Sequence, residues 1–299
     1  MSRDWAEKVA QQLLSRGLIQ TGTCLILGAA DTGKTTLAAA MAKHAASSWP
    51  VGIIDADIGQ SHIGPPTTVG WTVVDNPQID FSQLAAGGIS FVGDVTPVGH
   101  LLQLTAAIVQ CIQQASEVAK LIIVDTPGFI RGPAASALWW TVQRILKPKL
   151  ILAVQRSDEL SDILAGLKSA ELQLELVKSP SQIPTKSLQD RQSYRQSQFN
   201  KYFRDSYLYN ISLSDMAVQM SRNLSRESLA NRLVALRDEK GRDTTIGLIT
   251  DWQDNRGIVV VRASQLDIQQ IHCLVIGDIA IDISGDPKRN KGRLGTPGE

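Results

Sequence analysis

Short apolar runs separated by longer helix-forming segments dominate the N-terminal part of the chain. The runs cover residues 25–27, 51–56, 121–125 and 150–154. Each has the length and the branched content of a strand that is buried on both faces, as in a parallel sheet. Because helix-forming segments lie between the runs, the pattern predicts an α/β fold with a mostly parallel sheet flanked by helices.

The flanking segments can be assigned from the same periodicities. Residues 4–16 form an amphipathic pattern that predicts a helix packed across the sheet edge. Residues 101–119 predict a long apolar helix, and residues 158–168 a shorter one. Alternation over residues 172–177 is typical of an edge strand, and the Ser/Pro/Thr-rich residues 179–187 that follow predict a loop.

The character of the sequence changes beyond about residue 206. Residues 225–239 are predicted to be helical, whereas residues 245–249, 258–261 and 274–276 are predicted to be strands joined by turns. We therefore expect two domains, one over residues 1–207 and a small β-rich domain over residues 208–299. A short basic run, residues 286–293, is interpreted as a solubilising tail or a weak contact to a nucleic-acid backbone.

Composition excludes several classes of protein. The formal net charge is +1, so any contact with nucleic acid must come from a local patch. The three cysteines are dispersed, without metal-ligand spacing, which favours reduced thiols in a cytoplasmic protein. No apolar run reaches membrane-spanning length, and the first residues do not have the pattern of a signal peptide.

The strongest chemical signal follows the first apolar run, where residues 28–35 match G-x-x-x-x-G-K-T. Gly28 and Gly33 allow the backbone to turn and to direct its N–H groups at phosphate oxygens. Lys34 supplies a cation for the outer phosphates, and the Thr35 hydroxyl can ligate Mg²⁺. The motif predicts a site for ATP or another NTP with Mg²⁺, formed by Gly28, Ala29, Ala30, Asp31, Thr32, Gly33, Lys34, Thr35 and Thr36.

Acidic residues follow two other predicted strands. Asp55 and Asp57 lie at the end of the second run, where doubly wound sheets bind ligands. One of them could hold Mg²⁺ through water, and one could accept the proton of an attacking hydroxyl group. Asp125 ends the run 121–125 and is placed as a magnesium-side partner of the phosphate loop. His62, in the Gly/Pro-rich loop beyond, is interpreted as a surface residue.

A GTPase-like switch is a rival interpretation of the same region. Residues 125–128 read D-T-P-G and match the D-x-x-G pattern of GTPases. Residues 155–158, at the sheet position where GTPases carry N-K-x-D, read Q-R-S-D instead. Since asparagine and lysine are both replaced, guanine specificity is not supported.

A basic helix after the Ser/Pro/Thr loop carries two arginines one turn apart, Arg191 and Arg195. Such a segment, residues 188–205, is interpreted as a lid that closes on the transferred phosphate. The alternative is a solvated basic face above packed aromatic residues.

Together these motifs resemble the polynucleotide 5′-hydroxyl kinase family, the RNA kinases of pre-mRNA 3′-end, tRNA and ribosomal RNA processing, in a compact prokaryotic-type version. The resemblance covers residues 21–207. It rests on G-x-x-x-x-G-K-T, on D-x-D-x-x-Q (Asp55, Asp57, Gln60), on a T-x-G-aromatic clasp (Thr126, Gly128, Phe129), on an R-x-x-x-R lid (Arg191, Arg195) and on an F-V-G-D-x-x-P run at residues 91–97.

The resemblance implies a P-loop NTPase fold and a kinase that transfers the γ-phosphoryl group of ATP or another NTP to the 5′-OH end of RNA or DNA. It implies that Lys34 and Thr35 handle the triphosphate and Mg²⁺, and that an acidic residue of D-x-D activates the hydroxyl group. The lid arginines and the clasp would close around the phosphates. A nucleotide switch without a nucleic-acid substrate and an ATP-binding scaffold without turnover are the alternatives.

Overall fold

The computed structural model describes residues 2–18, 20–78, 84–167, 172–214, 216–220 and 229–283. The chain divides into two compact units, Met1–Tyr194 and Arg195–Glu299. The division between residues 207 and 208 that the sequence suggests stays a prediction. The basic run over residues 286–293 lies outside the described residues.

The first unit is built on a mostly parallel sheet. Its strands are β1 (Gly22–Gly28), β2 (Val51–Asp55), β3 (Thr68–Val74), β4 (Gly88–Phe91), β5 (Leu121–Asp125), β6 (Leu150–Gln155) and β7 (Gln173–Lys178). They lie in the order β7-β6-β1-β5-β2-β3-β4. Pairing is parallel from β7 to β2, whereas β3 and β4 pair antiparallel. The Gly/Pro-rich link between β2 and β3 contains no crossover helix, which a parallel return would need.

The helices of the chain are α1 (Ser2–Ser15), α2 (Lys34–Ala46), α3 (Leu101–Ser116), α4 (Pro133–Leu146), α5 (Ser161–Gly166) and α6 (Leu188–Tyr202). The boundary between the units falls within α6. Within the described residues, no helix has the length and apolar character needed to cross a bilayer.

Helices cover both faces of the parallel sheet. Successive residues of a strand point to opposite faces, so Leu25 and Leu27 join a core under α3, α4 and α5, while Cys24 and Ile26 join a core under α1 and α2. Burial on both faces explains why these strands read as continuous apolar runs. The α/β class with a mostly parallel sheet, predicted from that pattern, is confirmed.

Helix α1 packs against α2 and not simply across the sheet edge. Its buried positions include the small residues Ala6 and Ala10, which let the two helices approach closely. Next to Ala6, Trp5 reaches the start of α2, where a Cβ on Gly33 would lie 3.0 Å from its indole ring. The N-terminal helix therefore lies beside the phosphate loop.

The second unit is β-rich, as predicted. Its strands are β8 (Tyr207–Ser212), β9 (Ala217–Met220), β10 (Arg232–Asp238), β11 (Asp243–Gln253), β12 (Ile258–Ala263) and β13 (Ile271–Ala280). Within this unit the order is β11-β10-β13-β9, and β12 pairs with β11 and β8. Its own apolar core includes Ile211, Val234, Leu236, Val261 and Leu274.

The helix predicted over residues 225–239 is wrong where the structure describes it, because residues 232–238 form β10. Leucine, alanine and arginine favour a helix in isolation, which explains the error. In the folded chain these residues pair antiparallel with both β11 and β13. Gly241, with φ of 76°, closes the tight turn to β11. Tertiary pairing therefore overrides the local propensity.

Candidate active site

The phosphate loop connects the end of β1 to the start of α2. Gly33 caps α2 with φ of 93°, a conformation that favours glycine. A Cβ on Gly28 would lie 2.4 Å from the Val154 carbonyl oxygen, so this position also requires glycine. Lys34 Nζ donates to the Ala29 carbonyl oxygen at 2.8 Å, across the mouth of the loop. Burial lowers the pKa of this lysine.

A cavity of about 270 Å³ opens over this loop. Residues 30–36 form its floor, and Asp57, Gln60 and His62 from the segment after β2 form one wall. Lys186 and Arg191 lie on another wall. The floor is the positive end of α2, which favours an anionic ligand. The structure thus brings the loop, Asp57, Gln60 and Arg191 together around one space.

Asp55 and Asp57 have different surroundings. Strand β2 ends at Asp55, so the two side chains do not share a strand face. The Asp55 carboxylate is buried and accepts hydrogen bonds from the N–H groups of Asp57 (3.1 Å), His62 (2.5 Å) and Ile63 (3.0 Å) and from the Ser61 hydroxyl (3.4 Å). Burial raises its pKa. These contacts fold the loop after β2, and Asp55 does not line the cavity among the described residues.

Asp57 does line the cavity. Its Oδ1 accepts the N–H groups of Gly59 at 3.1 Å and Gln60 at 3.0 Å, in an Asx turn. Within the described residues, Oδ2 accepts no hydrogen bond. This oxygen is therefore available to a group that enters the cavity.

Asp125, at the end of β5, lies directly behind the loop. Its Oδ2 accepts the Thr35 hydroxyl at 2.5 Å. Its Oδ1 is buried, and no described residue donates a hydrogen bond to it. Burial raises the pKa of this carboxyl to about 7. A buried carboxylate oxygen without a partner, next to the loop threonine, is placed to accept a hydrogen bond from a water bound to Mg²⁺. The residues present therefore fit a magnesium ion.

The predicted clasp residues lie behind the phosphate loop. Thr126 is fully buried, and its hydroxyl donates to the Ile26 carbonyl oxygen at 2.7 Å. A Cβ on Gly128 would lie 2.5 Å from the Ala30 backbone nitrogen, so Gly128 lets the two backbones touch. Phe129 packs on the core. None of the three lines the cavity in the described part of the chain, and their role in binding nucleotide stays a prediction.

The two predicted lid arginines are placed differently. Arg191 Nη2 donates to Asp31 Oδ2 of the phosphate loop at 2.5 Å. The Arg191 carbonyl oxygen accepts Gln60 Nε2 at 3.3 Å. Arg195 is the first residue of the second unit, and its role stays a prediction.

Three side chains to which sequence reasoning gave no role lie near the site, and one of them, His62, is exposed, as predicted. His62 lines the cavity, and its ring centroid lies 5.8 Å from that of Tyr194. Lys186 Nζ lies 5.5 Å from the Tyr194 ring centroid. Tyr194 donates its hydroxyl to the Ser61 carbonyl oxygen at 3.0 Å. Their spacing forms no motif, since His62 follows β2, Lys186 precedes α6 and Tyr194 lies within α6, and only the fold brings them together.

These features define the class of protein. The phosphate site is formed by the end of β1, the glycine-rich loop with Lys34 and the start of α2. Asp125, at the end of β5, accepts a hydrogen bond from Thr35 of this loop. The first unit is therefore a P-loop nucleoside-triphosphate-binding domain.

The family assignment follows from comparison with known proteins. Residues 28–205 match the model of the mRNA cleavage and polyadenylation factor CLP1 P-loop family, and the chain belongs to that family. A polyribonucleotide 5′-hydroxyl-kinase of Pyrococcus abyssi is 32% identical over 195 residues, 65% of this chain and 54% of the relative. That of Methanocaldococcus jannaschii is 28% identical over 217 residues, 72% of this chain and 58% of the relative. The resemblance inferred from the motifs is confirmed.

The chain spans a little over half the length of these curated relatives. Among solved structures, that of a wild-type Clp1p–Pcf11p complex is similar over 93% of this chain and 79% of the matched chain. The identity is 14% and the TM-score is 0.69, so this likeness supports the fold.

Proposed function

We propose that this chain is a polynucleotide 5′-hydroxyl kinase, which transfers the γ-phosphoryl group of ATP or another NTP to the 5′-OH end of RNA or DNA. The observation that carries the proposal is the position of Asp57, which lines the same cavity as the phosphate loop and Arg191 and whose Oδ2 accepts no hydrogen bond from the described residues. A phosphate donor and a base for an alcohol thus share one space.

The loop and its flanking cations hold the donor. Backbone N–H groups of residues 30–35 and the α2 dipole bind the phosphates, as in other phosphate loops. Lys34 would move from the Ala29 carbonyl oxygen to the outer phosphates. Arg191, on the cavity wall, would neutralise charge on the transferred group.

Asp57 handles the acceptor. The 5′-hydroxyl oxygen attacks the γ-phosphorus while its proton passes to Asp57 Oδ2, and the bond from that phosphorus to the leaving diphosphate breaks. The Asx turn with Gly59 and Gln60 fixes the carboxylate for this role. Asp55 would stabilise the loop after β2 through its hydrogen bonds to the His62 and Ile63 N–H groups, and it would not contact the substrate.

The residues around Thr35 fit Mg²⁺. Thr35 would be the direct protein ligand, and Asp125, with its unpartnered Oδ1, and Asp57 would act through bound water. The described residues contain no group of three or more His, Cys, Asp or Glu side chains that could hold a metal ion alone. When bound, Mg²⁺ neutralises phosphate charge.

The names of the relatives favour RNA as the acceptor, since they are polyribonucleotide 5′-hydroxyl-kinases. Because the global charge of the chain is +1, its contact with the strand must come from a local patch. We expect the protein to act in the cytoplasm.

A labelling assay tests the proposal. Purified protein is incubated with γ-labelled ATP or GTP, Mg²⁺ and an oligonucleotide of RNA or DNA with a 5′-OH end, and a 5′-phosphorylated oligonucleotide serves as the control. We expect label only on the 5′-OH oligonucleotide. Lys34→Ala and Asp57→Ala should each lower labelling by at least about 10²-fold, and nucleotide binding should survive better in Asp57→Ala.

Other outcomes contradict the proposal in distinct ways. Label released as inorganic phosphate without transfer would favour a nucleotide switch. Binding of nucleotide without any turnover would favour a scaffold. Equal labelling by Asp57→Ala and the unaltered protein would remove Asp57 from the role of base.

A further inference from the structure

Asp31 places a negative charge within the loop that would bind phosphates. It lies in the middle of the phosphate loop, with φ of 59°, and lines the cavity. Its side chain is 9% exposed. An aspartate tolerates the left-handed backbone, but its charge opposes a triphosphate placed beside it. A buried negative charge here needs a compensating partner.

Three separate segments converge on Asp31. Its Oδ2 accepts Arg191 Nη2 at 2.5 Å and the Lys186 N–H at 3.1 Å. Its carbonyl oxygen accepts Arg156 Nη2, from the loop after β6, at 2.6 Å. The Arg191 carbonyl oxygen also accepts a hydrogen bond from Gln60 Nε2 at 3.3 Å. The guanidinium is therefore fixed over the loop by the loop's own carboxylate.

We propose that Asp31 is the positioning residue for Arg191, and that the two form a charge pair which holds the guanidinium at the phosphate site before and during transfer. The inference rests on the proposed function for its catalytic consequence. Arginine has five N–H donors and Asp31 engages Nη2, so the remaining donors can meet phosphate oxygens. Because the pair is neutral, Asp31 does not repel the nucleotide as a lone carboxylate would.

The variant Asp31→Asn separates positioning from a general structural role. Asparagine keeps the side-chain size, the tolerance for a positive φ and an oxygen for the Lys186 N–H, but it removes the charge. We expect kcat to fall about tenfold because the charge that holds the Arg191 guanidinium is removed, while the Kd for nucleotide changes less than about threefold. A merely structural residue would weaken both together. Asp162→Asn, an exposed carboxylate on α5, is the charge-matched control.

A double-mutant cycle with Arg191→Ala decides whether the two residues act as a pair. Arg191→Ala leaves Asp31 unpaired beside the nucleotide, so it should weaken nucleotide binding about tenfold or more. Adding Asp31→Asn should restore part of that loss. In kcat, Asp31→Asn should have no further effect once Arg191 is absent. An equal reduction of kcat by Asp31→Asn in both backgrounds overturns the proposal.

Nucleotide binding is measured directly, by titration in the absence of an oligonucleotide. The proposed kinase activity and the proposed Asp31–Arg191 pair can therefore be rejected independently. If the unaltered protein does not label a 5′-OH oligonucleotide, the kinase assignment fails, and the rescue of binding in Arg191→Ala still decides the charge pair. If Asp31→Asn weakens binding further in Arg191→Ala, the charge pair is rejected even where the kinase activity is present.

Discussion

Asp55 and Asp125 are partners in register at the ends of two adjacent parallel strands, β2 and β5, yet their surroundings differ. Both residues are 3% exposed. The Asp55 carboxylate accepts hydrogen bonds from its own loop at both oxygens. The Asp125 carboxylate accepts one from Thr35, and its other oxygen has no partner among the described residues. The hydrogen-bonding capacity of the Asp55 carboxylate is filled within the chain, whereas one oxygen of the Asp125 carboxylate can still accept a hydrogen bond from a ligand or water.

The difference separates structural from functional carboxylates. A buried carboxylate whose lone pairs are filled by backbone N–H groups stabilises a loop. One with an unfilled buried oxygen destabilises the protein alone and is retained where a ligand compensates. By this criterion Asp55 shapes the wall that carries Asp57 and His62, while the role of Asp125 in holding Mg²⁺ stays a prediction.

The largest expected effect on folding is that of Asp55→Asn. Asparagine offers one carbonyl oxygen and turns an NH₂ group toward backbone N–H donors, so at least one buried donor loses its partner. We expect a loss of about 2–4 kcal/mol in the free energy of unfolding, measured by urea titration.

The matched control is Asp57→Asn. This variant keeps the Oδ1 acceptor of the Asx turn and should unfold within about 0.5 kcal/mol of the unaltered protein while losing phosphoryl transfer. If both variants are equally stable, Asp55 is not the support of the loop.

The sequence predicted the position of the phosphate loop and of the strand ends better than the contacts between loops. The glycine pattern and the apolar runs locate the loop, Asp57 and Asp125, because strand ends of a parallel sheet meet at one edge. The choice between Asp55 and Asp57 could not be made, because it depends on where β2 ends and where the chain turns back. His62 is exposed, as predicted, and only the fold of this loop shows that it also lines the cavity.

Two further features could not be predicted from the sequence, because they depend on contacts between distant parts of the chain. The segment 232–238 has helix-forming residues, and only pairing with two neighbours makes it a strand. The contact between Asp31 and Arg191 joins residues 160 positions apart, and no local pattern encodes it.

An intermediate effect is expected from Gly128→Ala, on the segment that follows Asp125. Gly128 allows this segment to touch the phosphate loop, and the added methyl group would lie 2.5 Å from the Ala30 nitrogen. The loop must shift, which we expect to weaken nucleotide binding about tenfold and to lower stability by about 1–3 kcal/mol. Calorimetric titration with a non-hydrolysable NTP measures the first effect.

Gly132→Ala controls for backbone strain in the same segment. Gly132 has φ of 84°, and an added Cβ would meet no atom within 4 Å. This variant should lose stability but keep nucleotide affinity. Equal loss of affinity in both variants would show that strain in the segment, and not close contact with the loop, controls binding.

The smallest effect, and the one that tests the comparison most directly, is that of Asp125→Asn. Its carboxyl pKa is raised by burial from 3.8 to about 7, so the folded state holds a proton that the unfolded state releases above about pH 4. In the absence of nucleotide and Mg²⁺, this group therefore lowers stability as pH rises from about 4 to about 7, with no further change above. Asparagine keeps an acceptor for Thr35 and removes the charge, so the variant should be more stable than the unaltered protein by about 1–2 kcal/mol at pH 8, with a smaller gain at pH 5. Thermal unfolding at the two pH values measures the gain.

The same substitution, aspartate to asparagine, would then destabilise the protein at Asp55 and stabilise it at Asp125, although the two residues are partners in register. A loss of stability at pH 8 comparable to that of Asp55→Asn would mean that the carboxylate behind Thr35 is a structural group, and the distinction between the two strand ends would be lost.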